Sequence, residues 1–265
     1  DGVALTKFLY WIKNHKITKL NEKKIEKKLE SFRRKNKNYL YPSFDTIAGS
    51  GPNGAVIHYR SDKFSNRKLR KNDLLLLDSG GQYKWGTTDV TRTLCFSKVS
   101  SKIKDIFTRV LKGHIAVASS NIKKEKNGHN IDKIARKFLN SVGLDYRHGT
   151  GHGVGAFLNV HEGPQGISKN NYVKLKEGMV LSNEPGFYKK NDFGIRIENL
   201  VFIKKNKSKL LFENLTMAPI DTDLINFKML NKDEKKYLFK YHFEVYNNIS
   251  PFLNSAEKKW LASLI

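Results

Sequence analysis

The sequence LLLLDSGGQYKWGTTDVTRT carries two aspartates, Asp78 and Asp89, eleven positions apart, the first at the end of four leucines. A carboxylate buried behind such an apolar run costs several kcal/mol unless it is paired or bound to metal. Two carboxylates side by side repel unless protons or cations lie between them. Further donors follow: His148 and His152 in HGTGHGVG, His161 in NVHEGP, Glu184 in SNEPGFY and Glu198 in GIRIEN. Each is weak alone. A lone histidine is more often a satisfied polar residue than a ligand, and NEPG also suits a turn. HGTGH has the spacing of a zinc helix, but Gly149 and Gly151 disfavour a helix and the glutamate of that motif is missing. In the order Asp, Asp, His, Glu, Glu they form a set. Four carboxylates and a neutral imidazole would balance two divalent cations. An oxygen-rich set with one nitrogen suits Mn²⁺, with Co²⁺, Zn²⁺ or Fe²⁺ as alternatives. Two such ions about 3.5–4 Å apart form a clamp for hydrolysis.

These residues need elements to position them. Gly80, Gly81 and Gly86 allow Leu74–Phe96 to fold back as a hairpin centred near Tyr83–Trp85, bringing Asp78 and Asp89 together. Apolar spacing predicts helices over Val3–Asn14, Asn21–Arg34, Ser101–Ser119 and Asn130–Val142. Phe44–Tyr59 is expected to form strands around a Gly-Pro-Asn-Gly turn. Met179–Ser182, Phe193–Ile203 and Ser208–Leu215 are further strands, and a glycine-rich region runs from His148 to Gly166. The end turns helical, over Asn231–Asn248 and Ser255–Ile265, with Pro251 between. Interspersed helices and strands make the class α+β or mixed α/β.

Taken together, GPNGAVIHY, LLDSGGQYKWGTTDVTRT, VLKGHIAV, LDYRHGTGHGVGAFLNVHEGP, NEPGFY and FGIRIENLV resemble the catalytic domain of the pita-bread metallopeptidases. Within them the chain is most similar to the long, three-domain aminopeptidase P (Xaa-Pro aminopeptidase) branch, and the tail from Thr216 (TMAPID) resembles that branch's C-terminal extension. The resemblance implies an α+β pita-bread fold, a curved antiparallel sheet covered by helices, over residues 1–215, with a helical extension over 216–265. The chain opens Asp-Gly-Val-Ala-Leu without methionine, inside a helical pattern, so the branch's N-terminal domains are expected to be absent from it. The resemblance makes Asp78, Asp89 (bridging), His152, Glu184 and Glu198 the ligands of two divalent ions, most in keeping with Mn²⁺. It makes Glu184 also the general base toward a metal-bridging hydroxide. His148, His161 and His58 (in AVIHY) become catalytic and substrate-binding histidines. Arg196 is expected to support the acidic shell; His15, His114, His129 and His242 are structural or surface residues.

The implied activity is release of the N-terminal residue from peptides with proline in second position. The alternatives are a prolidase acting on Xaa-Pro dipeptides, a methionine aminopeptidase, which would leave the tail unexplained, and a non-catalytic pita-bread binding module. The net charge of +24 fits the last superficially, but the lysines are scattered and all five ligand positions are filled, so nucleic acid is not an expected partner. A homodimer is implied by the family, through catalytic domains or the C-terminal helices bearing Tyr237, Leu238, Tyr241, Trp260 and Leu261. No apolar run is long enough to span a membrane. Cys95 is the only cysteine, so no intramolecular disulfide can form, and a reducing, cytoplasmic setting is expected.

Overall fold

In β3 (Leu75–Ser79) the alternation of side chains decides what the leucine run does. Leu75 and Leu77 point into a core shared with two N-terminal helices, whereas Leu76 packs on the opposite face with Ile47 and Tyr59. Asp78 follows on that second face, directly opposite Ile47 of β2 (Ile47–Ser50; β1 is Tyr39–Pro42). The structure, a computed structural model, describes residues 1–157 and 159–265.

The hairpin forms as expected. β3 pairs antiparallel with β6 (Val90–Leu94), setting Asp78 opposite Thr91, and β4 (Gly81–Tyr83) and β5 (Gly86–Thr87) carry its outer end around a Lys84–Trp85 turn. β7 (Gly151–His152) pairs with β8 (Gly166–Ile167), β10 (Gly186–Lys189) with β11 (Phe193–Arg196), and β12 (Asn199–Asn206) lies between β9 (Val180–Asn183) and β13 (Lys209–Asn214). Each of these pairings is antiparallel, and the open sheets are covered by helices, as in a pita-bread fold.

α1 (Gly2–Lys13) and α2 (Glu22–Arg33) cover the back of the hairpin with Leu5, Phe8, Leu9, Ile12, Ile25 and Leu29. α3 (Ser101–Ala118) supplies Phe107, Val110 and Leu111 to the main core. The short α4 (Ile122–Glu125) precedes α5 (Gly128–Asn140), whose Ile131 and Ala135 pack on Leu181 and Val201 of the sheet. α6 (Lys232–Ile249) and α7 (Ser255–Ala262) each start with an asparagine capping box. Their Leu238, Tyr241 and Leu261 are buried in the main core, with Tyr237 and Trp260 packed beside them. Tyr237, Tyr241 and Trp260 therefore cap the chain's own core.

The expected strand pair around Gly-Pro-Asn-Gly is half right. β2 forms, but Gly51–Ala55 winds into a 3₁₀ helix and the following residues are not a strand. Pro52 pre-sets φ for such a turn, and Gly51 supplies a φ of +56°. The four-residue β1 and β10 and the two-residue β8 escaped the sequence because strands this short carry no periodicity.

Candidate metal centre

Five elements converge on one cleft of about 450 Å³. Asp78 comes from β3 and Asp89 lies just before β6. His152 comes from β7, Glu184 just after β9, and Glu198 from the junction of β11 and β12. Main-chain bonds lock the junctions: Glu184 N donates to Thr150 O at 2.8 Å and Glu198 N to Thr91 O at 3.1 Å. Asp78, Asp89 and Glu198 are buried, Glu198 to 1 % exposure, so their carboxylates have little water to solvate them.

The donor atoms cluster. Those of Asp78, Asp89 and Glu198 lie within 4.8 Å of one another, as do those of His152, Glu184 and Glu198, so Glu198 joins two sets. A third set brings His161 to Asp89 and His152. Burial, then the charges of Asp78 and Glu184, push Asp89 well above the usual carboxylate range. Burial, then Asp89, Glu184 and Asp78, do the same to Glu198. Asp78 Oδ1 and Asp89 Oδ1 are buried without a hydrogen-bond partner. Orphaned carboxylate oxygens in a polar cleft are what cation ligands look like before the cation is added.

His152 shows the same preparation. Its Nδ1 lies 3.0 Å from Gly153 O, which can only accept, so Nδ1 carries the proton. That leaves Nε2 as the ring atom turned to the acidic set, 3.3 Å from both Asp89 Oδ2 and Glu184 Oε1. Ser182 Oγ fixes Glu184 by donating to Oε1 at 3.0 Å and accepts His152 N at 2.9 Å.

His58 and His161 lie exposed on the cleft wall, beside Phe44, Ile57 and Val160. The His161 ring stands edge-on to His152, centroids 4.1 Å apart, and burial, then His152, lowers its pKa. His148 differs, because both ring nitrogens have protein partners. Nδ1 donates to Gly149 O at 2.7 Å, and Nε2 lies 2.9 Å from Tyr188 OH. Burial lowers the His148 pKa and raises that of Tyr188 to about 12, so the phenol keeps its proton and donates it to Nε2.

Residues 1–205 match the description Metallopeptidase family M24, and residues 209–264 match the C-terminal region of peptidase M24. The chain belongs to metallopeptidase family M24. Aminopeptidase P2 of Arabidopsis thaliana is 45% identical over 274 residues, which cover 98% of this chain and 39% of that protein. A solved X-prolyl aminopeptidase of Caenorhabditis elegans, described as a cytosolic enzyme with a di-nuclear active site, superposes with a TM-score of 0.93 at 37% identity, over 99% of this chain and 45% of that one. A prolidase from Thermococcus sibiricus superposes with a TM-score of 0.71 at 31% identity, over 83% of this chain and 57% of that one. The M24 chain spans less than half the length of the curated relatives it matches.

Behind the acidic cluster of this cleft stand residues that motif reading did not single out. Thr91 Oγ1 donates to Glu198 Oε2 at 2.7 Å. Arg92, 1 % exposed, reaches Glu198 O at 2.6 Å and Ala218 O at 2.8 Å, tying the Glu198 segment to the C-terminal region. Arg196 does support the acidic shell, by donating to Asp78, Thr91 and Tyr188. The alternation in FGIRIEN was the available signal: Ile195 and Ile197 face the core, and Arg196 and Glu198 take the other face. His114 and His242 are buried structural residues, and His15 and His129 stack on Trp11 and Tyr172.

Proposed function

We propose that this chain is the catalytic part of a metal-dependent aminopeptidase that releases the first residue from peptides with proline in second position. The observation that carries it is the placement of His58, His148 and His161 around the five-residue acidic set in one cleft. The names printed for the relatives support the same reading. Asp78, Asp89, His152, Glu184 and Glu198 would hold two divalent cations. Mn²⁺ is the choice most in keeping with mostly carboxylate oxygens and one imidazole.

When bound, such a pair polarises a carbonyl and lowers the pKa of water toward neutrality. Glu184 would serve as general base through Oε2, which lies 3.9 Å from His148 Nδ1, while Oε1 stays bonded to Ser182. His161 and His58, on the open wall, would bind the peptide and donate to the oxygen on which charge develops. His148 would hold a proton at Nδ1 beside Glu184, its ring set by Tyr188. Proline has no N–H and a fixed φ, so a site that needs that N–H rejects it, whereas the apolar wall of Phe44, Ile57 and Val160 can accept its ring.

The division into residues 1–215 and 216–265, a homodimer and a cytoplasmic location belong to the same proposal. Among the described residues no helix is long and apolar enough to cross a membrane. The test is release of the first residue from Xaa-Pro-Xaa peptides by the full-length protein with Mn²⁺. No release at normal metal content refutes the proposal. The likeness to a prolidase supports a second reading, cleavage of Xaa-Pro dipeptides. Rates on a dipeptide and a tripeptide separate the two.

A further inference from the structure

Glu22, the first residue of α2, is wholly buried and faces no metal ligand, yet its carboxylate collects donors from four separate points of the chain. Oε1 accepts Ser50 N at 2.8 Å and Asn53 Nδ2 at 3.0 Å. Oε2 accepts Tyr59 OH at 2.7 Å and Arg67 N at 2.8 Å. A buried carboxylate costs free energy unless its lone pairs are filled, and here they are filled by neutral donors. Those donors bracket the segment that carries His58. Residues 56–66 form neither helix nor strand, so their shape rests on bonds of this kind. Tyr59 is the link. Its ring packs with Ile47, Leu76 and Tyr188, its hydroxyl is held by Glu22, and the preceding residue, His58, is thereby turned outward into the cleft.

We infer that Glu22 is a positioning residue for His58: through Asn53 and Tyr59 it holds the 50–59 segment so that the His58 ring faces the substrate. This rests on the reading of His58 as a substrate-side histidine. Helix α2 thereby acquires a part in catalysis from the far side of β2, with no contact to the metal set.

The test is a double-mutant cycle in the full-length, metal-loaded protein, with kcat/KM on an Xaa-Pro tripeptide as one readout. Glu22→Gln keeps the shape but turns an NH₂ group toward donors, so the clamp opens. It is expected to lower kcat/KM about tenfold or more with metal content unchanged, and to cost less than about twofold in a His58→Ala background. Equal losses in both backgrounds would overturn the inference and leave the assigned reaction standing. If His58→Ala alone costs nothing, the substrate role of His58 falls, and the inference with it. The second readout is the His58 ring signal in ¹⁵N-histidine NMR of the Zn²⁺-loaded protein. It should shift or broaden in Glu22→Gln, and an unmoved signal counts against the clamp. Should Glu22→Gln not fold, Tyr59→Phe removes a single donor and is expected to repeat the same pattern at smaller amplitude; additive loss there overturns the inference equally.

Discussion

Arg196 donates from Nη2 to Asp78 Oδ2 at 2.6 Å, and Asp78 Oδ1 is left buried without a protein donor. One oxygen of the first aspartate is thus answered by the protein, and the other is the one the proposed cations would take. Burial works against the charge of Arg196, but Tyr188, Asp78, Glu184 and Glu198 outweigh it and hold its pKa well above normal. The fixed charge of the cleft is therefore one unit less negative than its four carboxylates alone suggest.

This relationship predicts how Arg196→Met behaves. In metal-free protein the change leaves Asp78 beside Asp89 and Glu198 with its ion pair gone, at a cost of about 3–5 kcal/mol. Cations would take over part of that duty. Urea denaturation should therefore show a large loss without Mn²⁺ and a clearly smaller one with it. The same loss in both conditions would mean that Arg196 supports packing and not the carboxylate.

Protons and cations compete for the same oxygens. Asp89 and Glu198 are held well above the usual carboxylate range, chiefly by burial, so the metal-free site holds its protons to higher pH than ordinary carboxylates do. Binding a divalent pair must expel them, so affinity should rise with pH and binding should release protons. Calorimetric titration in two buffers of different ionisation enthalpy reads this as a buffer-dependent heat. Asp89→Asn should weaken the proton release and reduce the bound ions from a pair to one. Heat independent of the buffer would count against the protonated site.

Much of this cleft is legible in the sequence because its acidic residues lie in or beside strands that alternate. Asp78 and Asp89 follow from an apolar strand and a glycine turn, and the structure places them as the hairpin requires. His148 was also visible, but not that both its nitrogens are engaged, since Tyr188 lies forty positions away and joins only through the β10–β11 pair. Glu22 was hidden for another reason. In EKKIEKKLE it is one of several glutamates on an amphipathic helix, and only tertiary packing separates the buried one from the half-buried ones.

His242 sets part of the acid sensitivity. It is buried, accepting Ile220 N at Nε2 and donating from Nδ1 to Leu264 O. Burial, followed by Arg92, lowers its pKa from 6.5 to about 4. The folded value lies below the unfolded one, so the unfolded chain takes up the proton first. The stability His242 contributes is full above pH 6.5 and is lost as pH falls toward about 4. The slope approaches about 1.4 kcal/mol per pH unit within that window. Asp89 and Glu198 act in the opposite direction in metal-free protein, so the effect is read as a difference. His242→Gln should be about 1 kcal/mol less stable than wild type at pH 7.5. That gap should close or reverse near pH 4.5, and a constant gap would exclude the histidine.

Gly194 of β11 lies so close to Gly54 that a Cβ there would run into the Gly54 carbonyl. The obstacle is backbone, so it cannot swing aside as a side chain would. Gly54 sits in the 3₁₀ helix next to Asn53, one of the donors to Glu22, and four residues before His58. Gly194→Ala should therefore push that helix off the sheet, at a cost of about 1–3 kcal/mol. KM for an Xaa-Pro tripeptide should rise more than kcat falls, because the cleft wall moves while the strands bearing the acidic residues keep their pairing. Gly86→Ala is the control: nothing lies within 4 Å of a Cβ there. Its stability should stay within about 0.5 kcal/mol of wild type. A Gly194→Ala protein with the wild-type melting temperature and KM would show that the contact between β11 and the 3₁₀ helix does not hold the His58 wall in place.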